Sequence, residues 1–245
     1  MRLGIFQTGT APDYCLTNYG NYSDLFMALF SGLGIEWTVF ESQKMEVPED
    51  WDAFDGFIIT GSAADAHGNE PWIEELNRAI REAFDRGKKI LGICFGHQAV
   101  ANALGGRSGP NPAGWDAGLV EISTLPSAAE NPFAQCVGKR LAVLVSHRDH
   151  VISLPPGAQL LSRSPKTPVE AYAIDSQVLC IQGHPEFNND IVRKIVETRM
   201  EAGSLPKDIG ERALESLSGL PDHDPLYEAL LEFLGLASRV ATPLP

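Results

Sequence analysis

The chain has 245 residues, 44% hydrophobic and 21% charged, with a formal net charge of −13. Length and composition suit one α/β domain with a sizeable core, or such a domain plus a small appendage. The acidity argues against nucleic acid or an anionic membrane surface as a partner, because phosphates would be repelled, and no run of about 18 apolar residues reads as a membrane span.

Strand and helix alternate from the start. Residues 3–6 read as a first strand and lack the long apolar core of a secretory leader. A helix covers 24–30, with Asn21 or Ser23 as its cap and Gly34 as its stop. Residues 35–40 form a second strand. Within 54–60, Phe57-Ile58-Ile59 is a short buried strand that opens into Gly61-Ser62-Ala63. Pro71 begins a helix to about residue 86, with Ile73, Leu76, Ile80 and Phe84 on one face. The next strand is 89–93, and a helix follows over roughly 98–104. Helices between short apolar strands predict an α/β fold with a mostly parallel twisted sheet and helices on both faces.

From 105 to 118 the sequence is rich in Gly and Pro and reads as loop. Short strands are expected at 119–122, 140–145, 159–162, 169–174 and 178–182, then helices at 188–202, 209–217 and 226–236. Residues 241–245 are expected to fray. The division is a domain over 1–202 and a small helical extension over 203–245. The extension's Leu226, Leu230, Leu231, Phe233 and Leu234 need burial, most simply against that domain. The cysteines Cys15, Cys94, Cys136 and Cys180 form no CxxC pair, which fits a reduced, cytoplasmic protein without a zinc site.

The most informative segment is Gly92-Ile93-Cys94-Phe95-Gly96-His97-Gln98, straight after the apolar strand. A cysteine sits at the tip of a glycine-bounded turn between a strand and a helix. This is the setting of a nucleophile elbow, with Cys in place of Ser. The turn lifts the thiol off the sheet edge, and the helix N-terminus favours the thiolate. A core cysteine is the plainer alternative, but flanking glycines are a poor way to fill a core. Gly183-His184-Pro185-Glu186 follows the strand at 178–182, and α/β sheets hold their sites at strand carboxyl ends. Alone, His184 reads as a structural histidine. With Glu186 two residues on and Pro185 favouring extended backbone, both side chains point the same way. Glu186 can then orient an imidazole that serves Cys94 as base, a Cys-His-Glu triad. A carboxylate at the start of the next helix is a second, compatible role for Glu186.

These motifs together resemble the class I, triad-type glutamine amidotransferase family, over about residues 1–200. The resemblance implies a flavodoxin-like sheet, with Cys94 as nucleophile, His184 as base and Glu186 as orienter. It implies hydrolysis of the glutamine side-chain amide with release of ammonia. Ile59-Thr60-Gly61-Ser62 resembles the family's glycine-rich oxyanion strand, often GGP, and the departure from GGP leaves the exact donor open, with a plain strand-end turn as the alternative. The backbone amides of Gly61 and Phe95 are the implied oxyanion donors; one such donor typically contributes about 3 kcal/mol. Val145-Ser146-His147-Arg148-Asp149-His150 resembles the SHxD stretch of the GMP-synthetase-like branch. By that likeness Ser146 and His147 line the γ-glutamyl pocket, Asp149 takes the α-amino group, and Gln98 also contacts substrate.

No metal or cofactor is expected. The sequence carries no GxxxxGK[ST] phosphate loop, so it holds no synthetase site for the ammonia. Two options follow from the resemblance: a glutaminase subunit with a synthetase partner, or a stand-alone γ-glutamyl peptidase or hydrolase of the same family. In both, the substrate is a small molecule, glutamine or a γ-glutamyl compound. A non-catalytic binding module is the third reading, and an intact Cys, His and Glu argues against it. The sequence sets no oligomeric state.

Overall fold

The computed structural model describes residues 1–237; the fraying expected at 241–245 lies outside the described residues. In sequence order the elements are β1 (Arg2–Gln7), α1 (Asp13–Asn18), α2 (Tyr22–Leu29), β2 (Glu36–Glu41), β3 (Gly56–Ile59), α3 (Pro71–Asp85), β4 (Lys89–Ile93) and α4 (Phe95–Ala103). Then follow β5 (Arg107–Pro110), β6 (Asp116–Thr124), α5 (Pro132–Val137), β7 (Arg140–His147), β8 (Asp149–Ser153), β9 (Gln159–Arg163), β10 (Ala171–Ile174), β11 (Val178–Ile181), α6 (Asn189–Glu201), α7 (Lys207–Ser216) and α8 (His223–Leu234).

Period-2 alternation sorts the strand residues onto two faces. Leu3, Ile5, Ile58, Leu91 and Ile93 pack beneath Phe26 and Phe30 and beneath Leu226, Leu230, Leu231 and Leu234 of α8. Phe6, Phe57, Ile59 and Ile90 pack on the other face against Ile73, Leu76 and Ile80 of α3 and against α4. With both faces covered, β3 and β11 are buried at every residue.

Nine strands form one sheet in the order β2-β1-β3-β4-β11-β10-β9-β6-β7. From β2 to β11 each pair is parallel, and from β11 to β7 each pair is antiparallel. The antiparallel half curls back: the His184 N–H donates to the Leu144 carbonyl of β7 at 2.8 Å, although β7 stands four strands from β11. That curl carries the carboxyl end of β7 to the carboxyl ends of β4 and β11.

Several boundaries differ from those expected. α4 begins at Phe95, immediately after Cys94, and not at residue 98. The Gly/Pro-rich segment holds β5, which pairs with β8 in a separate two-stranded ladder; its partner lies forty residues on, beyond the reach of local composition. β6 starts at Asp116, and β10 starts at Ala171, not 169. The six-residue helices α1 and α5 were not anticipated. Asn21 caps α2 through a capping box with Asp24. Among the described residues no helix is long and apolar enough to cross a membrane.

Candidate active site

Cys94 turns the backbone from β4 into α4 at φ +53° and ψ −102°. A non-glycine residue at positive φ is uncommon and persists only where its surroundings hold it. Here the Cys94 N–H donates to the Ile181 carbonyl (2.9 Å), and the Gly96 N–H donates to the Thr60 carbonyl (3.2 Å). The glycines permit close approach. A Cβ on Gly96 would overlap the Ile59 carbonyl, and one on Gly92 would lie 2.7 Å from the Gly96 carbonyl. As the residue capping α4, Cys94 stands at the positive end of that helix.

His184 Nδ1 donates to Glu186 Oε1 at 2.7 Å. That leaves Nε2 for the Cys94 side chain, the other group that acts on the ring. The imidazole lies flat on Phe187, with centroids 3.9 Å apart and planes within 3°, and Phe187 stacks in turn on Tyr22. Burial works against an imidazolium here. The charges and hydrogen bonds of Glu186 and Cys94 outweigh it and hold the His184 pKa above its ordinary range. A thiol, an imidazole and a carboxylate in this arrangement can take up the thiol proton and pass it to a leaving nitrogen.

Cys94 opens on a cavity of about 300 Å³, and Ser62, Phe95, Gln98, Ser146, His147 and Asp149 all line it. Gly61 lies beneath: a Cβ there would sit 2.9 Å from His184 Cε1 and 3.7 Å from Cys94 Cβ. Its turn is braced by Thr8, whose Oγ1 donates to the Gly61 carbonyl (2.9 Å) and whose carbonyl accepts from Ser62 Oγ (2.9 Å). Gln98 Nε2 donates to the Asp149 carbonyl and to Gln182 Oε1, both at 3.0 Å. Its nitrogen therefore serves the fold, and its oxygen is the atom left for a substrate. His147 Nδ1 bonds the Asp149 carbonyl at 2.9 Å, and burial pushes its pKa down to about 4, so it is neutral. The Asp149 carboxylate lies 3.2 Å from His67 Nδ1; burial and then the neighbouring Asp65 push its pKa up. A larger cavity of about 490 Å³, around Lys89, Phe133 and Phe233, sits at the opposite end of β4 and shares none of these residues.

Residues 15–196 match the family model described as glutamine amidotransferase class-I. The chain belongs to the class I glutamine amidotransferase family. It is an amidotransferase-type enzyme by that membership. It is 36% identical to gamma-glutamyl peptidase 4 of Arabidopsis thaliana, over 84% of each protein. It is 40% identical to one subunit of the glutamine-hydrolysing GMP synthase of Thermococcus kodakarensis, over 49% of this protein and 65% of that one. The fold is that of a glutamine amidotransferase from Thermotoga maritima, with a TM-score of 0.72 at 18% identity over 96% of this protein and 98% of that one.

In this family member several residues at the site carry little sequence signal. Phe187 directly follows His184-Pro185-Glu186, and that adjacency is the signal by which its place under the imidazole could have been found. Thr8, Tyr22, His67 and Arg199 reach the site from the residue after β1, from α2, from the turn before α3 and from the end of α6, and nothing local marks them. The remaining thiols are held as thiols: burial pushes up the pKa values of Cys15 and Cys136, and that of Cys180 to about 12. His97 lies under the elbow against Tyr172, centroids 5.0 Å apart, and burial pushes its pKa down to about 3.

Proposed function

We propose that this enzyme is a free-standing hydrolase that cleaves the γ-glutamyl amide bond of glutamine or of a γ-glutamyl peptide or amine. The observation that carries the reading is the 2.7 Å bond from His184 to Glu186 behind a cysteine at a strained helix N-terminus. The Cys94 thiolate attacks the γ-carbonyl carbon, and the oxyanion that forms is met by the backbone amides of Phe95 and Gly61. The C–N bond breaks as the His184 imidazolium gives its proton to the leaving nitrogen. Water then attacks the thioester while His184 takes its proton; glutamate leaves and the thiolate–imidazolium pair returns. Ser146 and His147 flank the glutamyl group, and Asp149 receives its α-ammonium. Free thiols throughout the described residues suit a reducing, cytoplasmic setting.

The relatives named peptidases match nearly the whole of this protein and the GMP synthase relative matches about half of it, which supports the free-standing reading. The test is glutamate release by the purified protein from glutamine and from a panel of γ-glutamyl amides and peptides, with Cys94→Ala as control. Faster turnover of a γ-glutamyl compound than of glutamine is the expected result. Activity on glutamine alone, or only after a synthetase is added, would assign an ammonia-donating role within a larger complex instead. Hydrolysis that survives Cys94→Ala would remove the triad.

A further inference from the structure

We infer that Arg199 is the carboxylate anchor of the Cys94 cavity and a specificity-determining residue for its substrate. The inference rests on the hydrolase reading above. Arg199 stands in the last turn of α6 and lines the same cavity as Cys94. Its Nη1 donates to the Ser146 carbonyl (3.0 Å) and to Ser146 Oγ (2.6 Å), and its guanidinium lies over the Trp115 ring, 4.8 Å from the centroid. One nitrogen and one face are thereby fixed. Among the described residues no carboxylate lies within ion-pairing distance of it, although the protein is strongly acidic. Burial pushes its pKa down, yet arginine keeps its charge.

The negative group that acts on Arg199 is the Cys94 thiolate; a partly buried cation with no carboxylate partner of its own is unfavourable, and an anionic ligand relieves that. The guanidinium fork matches a carboxylate in two parallel hydrogen bonds. Asp65 and Asp149 line the same cavity and favour an ammonium, while Arg199 and Arg148 favour an anion; Arg148 is exposed, whereas Arg199 is the cation held in place by Ser146 and Trp115. A γ-glutamyl substrate offers two carboxylates: the glutamyl α-carboxylate, and the carboxylate of an amino-acid or peptide leaving group.

Calorimetric binding to the Cys94→Ala protein reads affinity without turnover. The probes are L-glutamine, 4-aminobutanamide (glutamine without its α-carboxylate) and γ-glutamylglycine (a second carboxylate, on the leaving amine). With Arg199 intact, at least one carboxylate must raise affinity by roughly tenfold or more. In Cys94→Ala/Arg199→Met that gain disappears, and Arg199→Lys restores part of it. Loss on glutamine and γ-glutamylglycine, with 4-aminobutanamide unchanged, assigns the α-carboxylate; loss on γ-glutamylglycine alone assigns the leaving group. No gain from either carboxylate with Arg199 intact, or an equal loss on all three probes, overturns the anchor; an equal loss is what a mere brace from α6 to Ser146 predicts. Hydrolysis by the parent protein separates the two readings. Carboxylate-dependent binding without hydrolysis would overturn the hydrolase alone, and hydrolysis with Arg199-independent binding would overturn the anchor alone.

Discussion

At Cys94 one turn sets both the backbone and the chemistry. Its positive φ exposes the thiol to the cavity and puts it at the start of α4. Glu186 acts on it at one remove, by raising the His184 pKa and fixing the ring. Glu186→Gln keeps the shape but removes the charge. We expect kcat to fall by roughly 10²–10⁴. Because Glu186 raises the pKa of His184, its loss lowers it, so the imidazolium is lost earlier as pH rises. The alkaline limb of the kcat/KM profile should move to lower pH, read as a value of the coupled Cys–His pair; an unmoved limb would remove Glu186 from this role. Gly61→Ala tests the same ring from the other side. The new Cβ, 2.9 Å from His184 Cε1, pushes the imidazole off its stack. A fall of roughly 10–100-fold in kcat is expected, with little change in melting temperature.

At the scale of elements, the site exists because strand ends converge. β3, β4 and β11 are parallel neighbours and deliver Gly61, Cys94 and His184 at their carboxyl ends. β7 supplies Ser146 and His147 because the antiparallel half curls over, tied by His184 to Leu144. α4 can start beside β3 because residue 96 has no side chain. Gly96→Ala drives a methyl group into the Ile59 carbonyl and should destabilise the protein by about 1–3 kcal/mol or more. Chemical denaturation measures this directly; a midpoint equal to the parent's would show that the elbow tolerates a wider gap.

For the whole molecule, the described residues that follow α6 are built into the core. α8 contributes Leu226, Leu230, Leu231 and Leu234 to the same cluster as β1 and β4. The interior also buries ionisable groups whose protonation differs from the unfolded state. Glu170 is fully buried, and burial pushes its pKa up to about 8 from 4.5. The native state therefore holds a proton that the unfolded state releases between those values, and stability falls as pH rises through that window. His97 has the opposite sign. Pushed down to about 3 from 6.5, it makes stability fall as pH drops through that range. Glu170→Gln should flatten the decline on the alkaline side by up to about 1.4 kcal/mol per pH unit and leave the acid side unchanged. Melting temperatures at pH 5 and pH 8 test this; parallel shifts of parent and variant would show that Glu170 does not titrate in that range.

Local pattern was enough for the parallel half of the sheet. Phe57-Ile58-Ile59 and Ile90-Leu91-Gly92-Ile93 are short near-continuous apolar runs, and such runs mark strands buried on both faces. The elbow and the His-x-Glu pair were legible for the same reason: each is a short segment whose geometry depends on its own residues. β5 was not legible, because a Gly/Pro-rich strand is made only by its distant partner β8. Nor were Thr8, His67 and Arg199, which become site residues by proximity across the fold and not by any neighbour in the sequence. The sequence by itself determined the class of scaffold and pointed to the proposed triad residues, through periodicity and turn chemistry. Only the tertiary structure decided which remote side chains brace, charge and shape the cavity, since those contacts span from about 50 residues (Thr8 to Gly61, Ser146 to Arg199) upward, and no local rule encodes them.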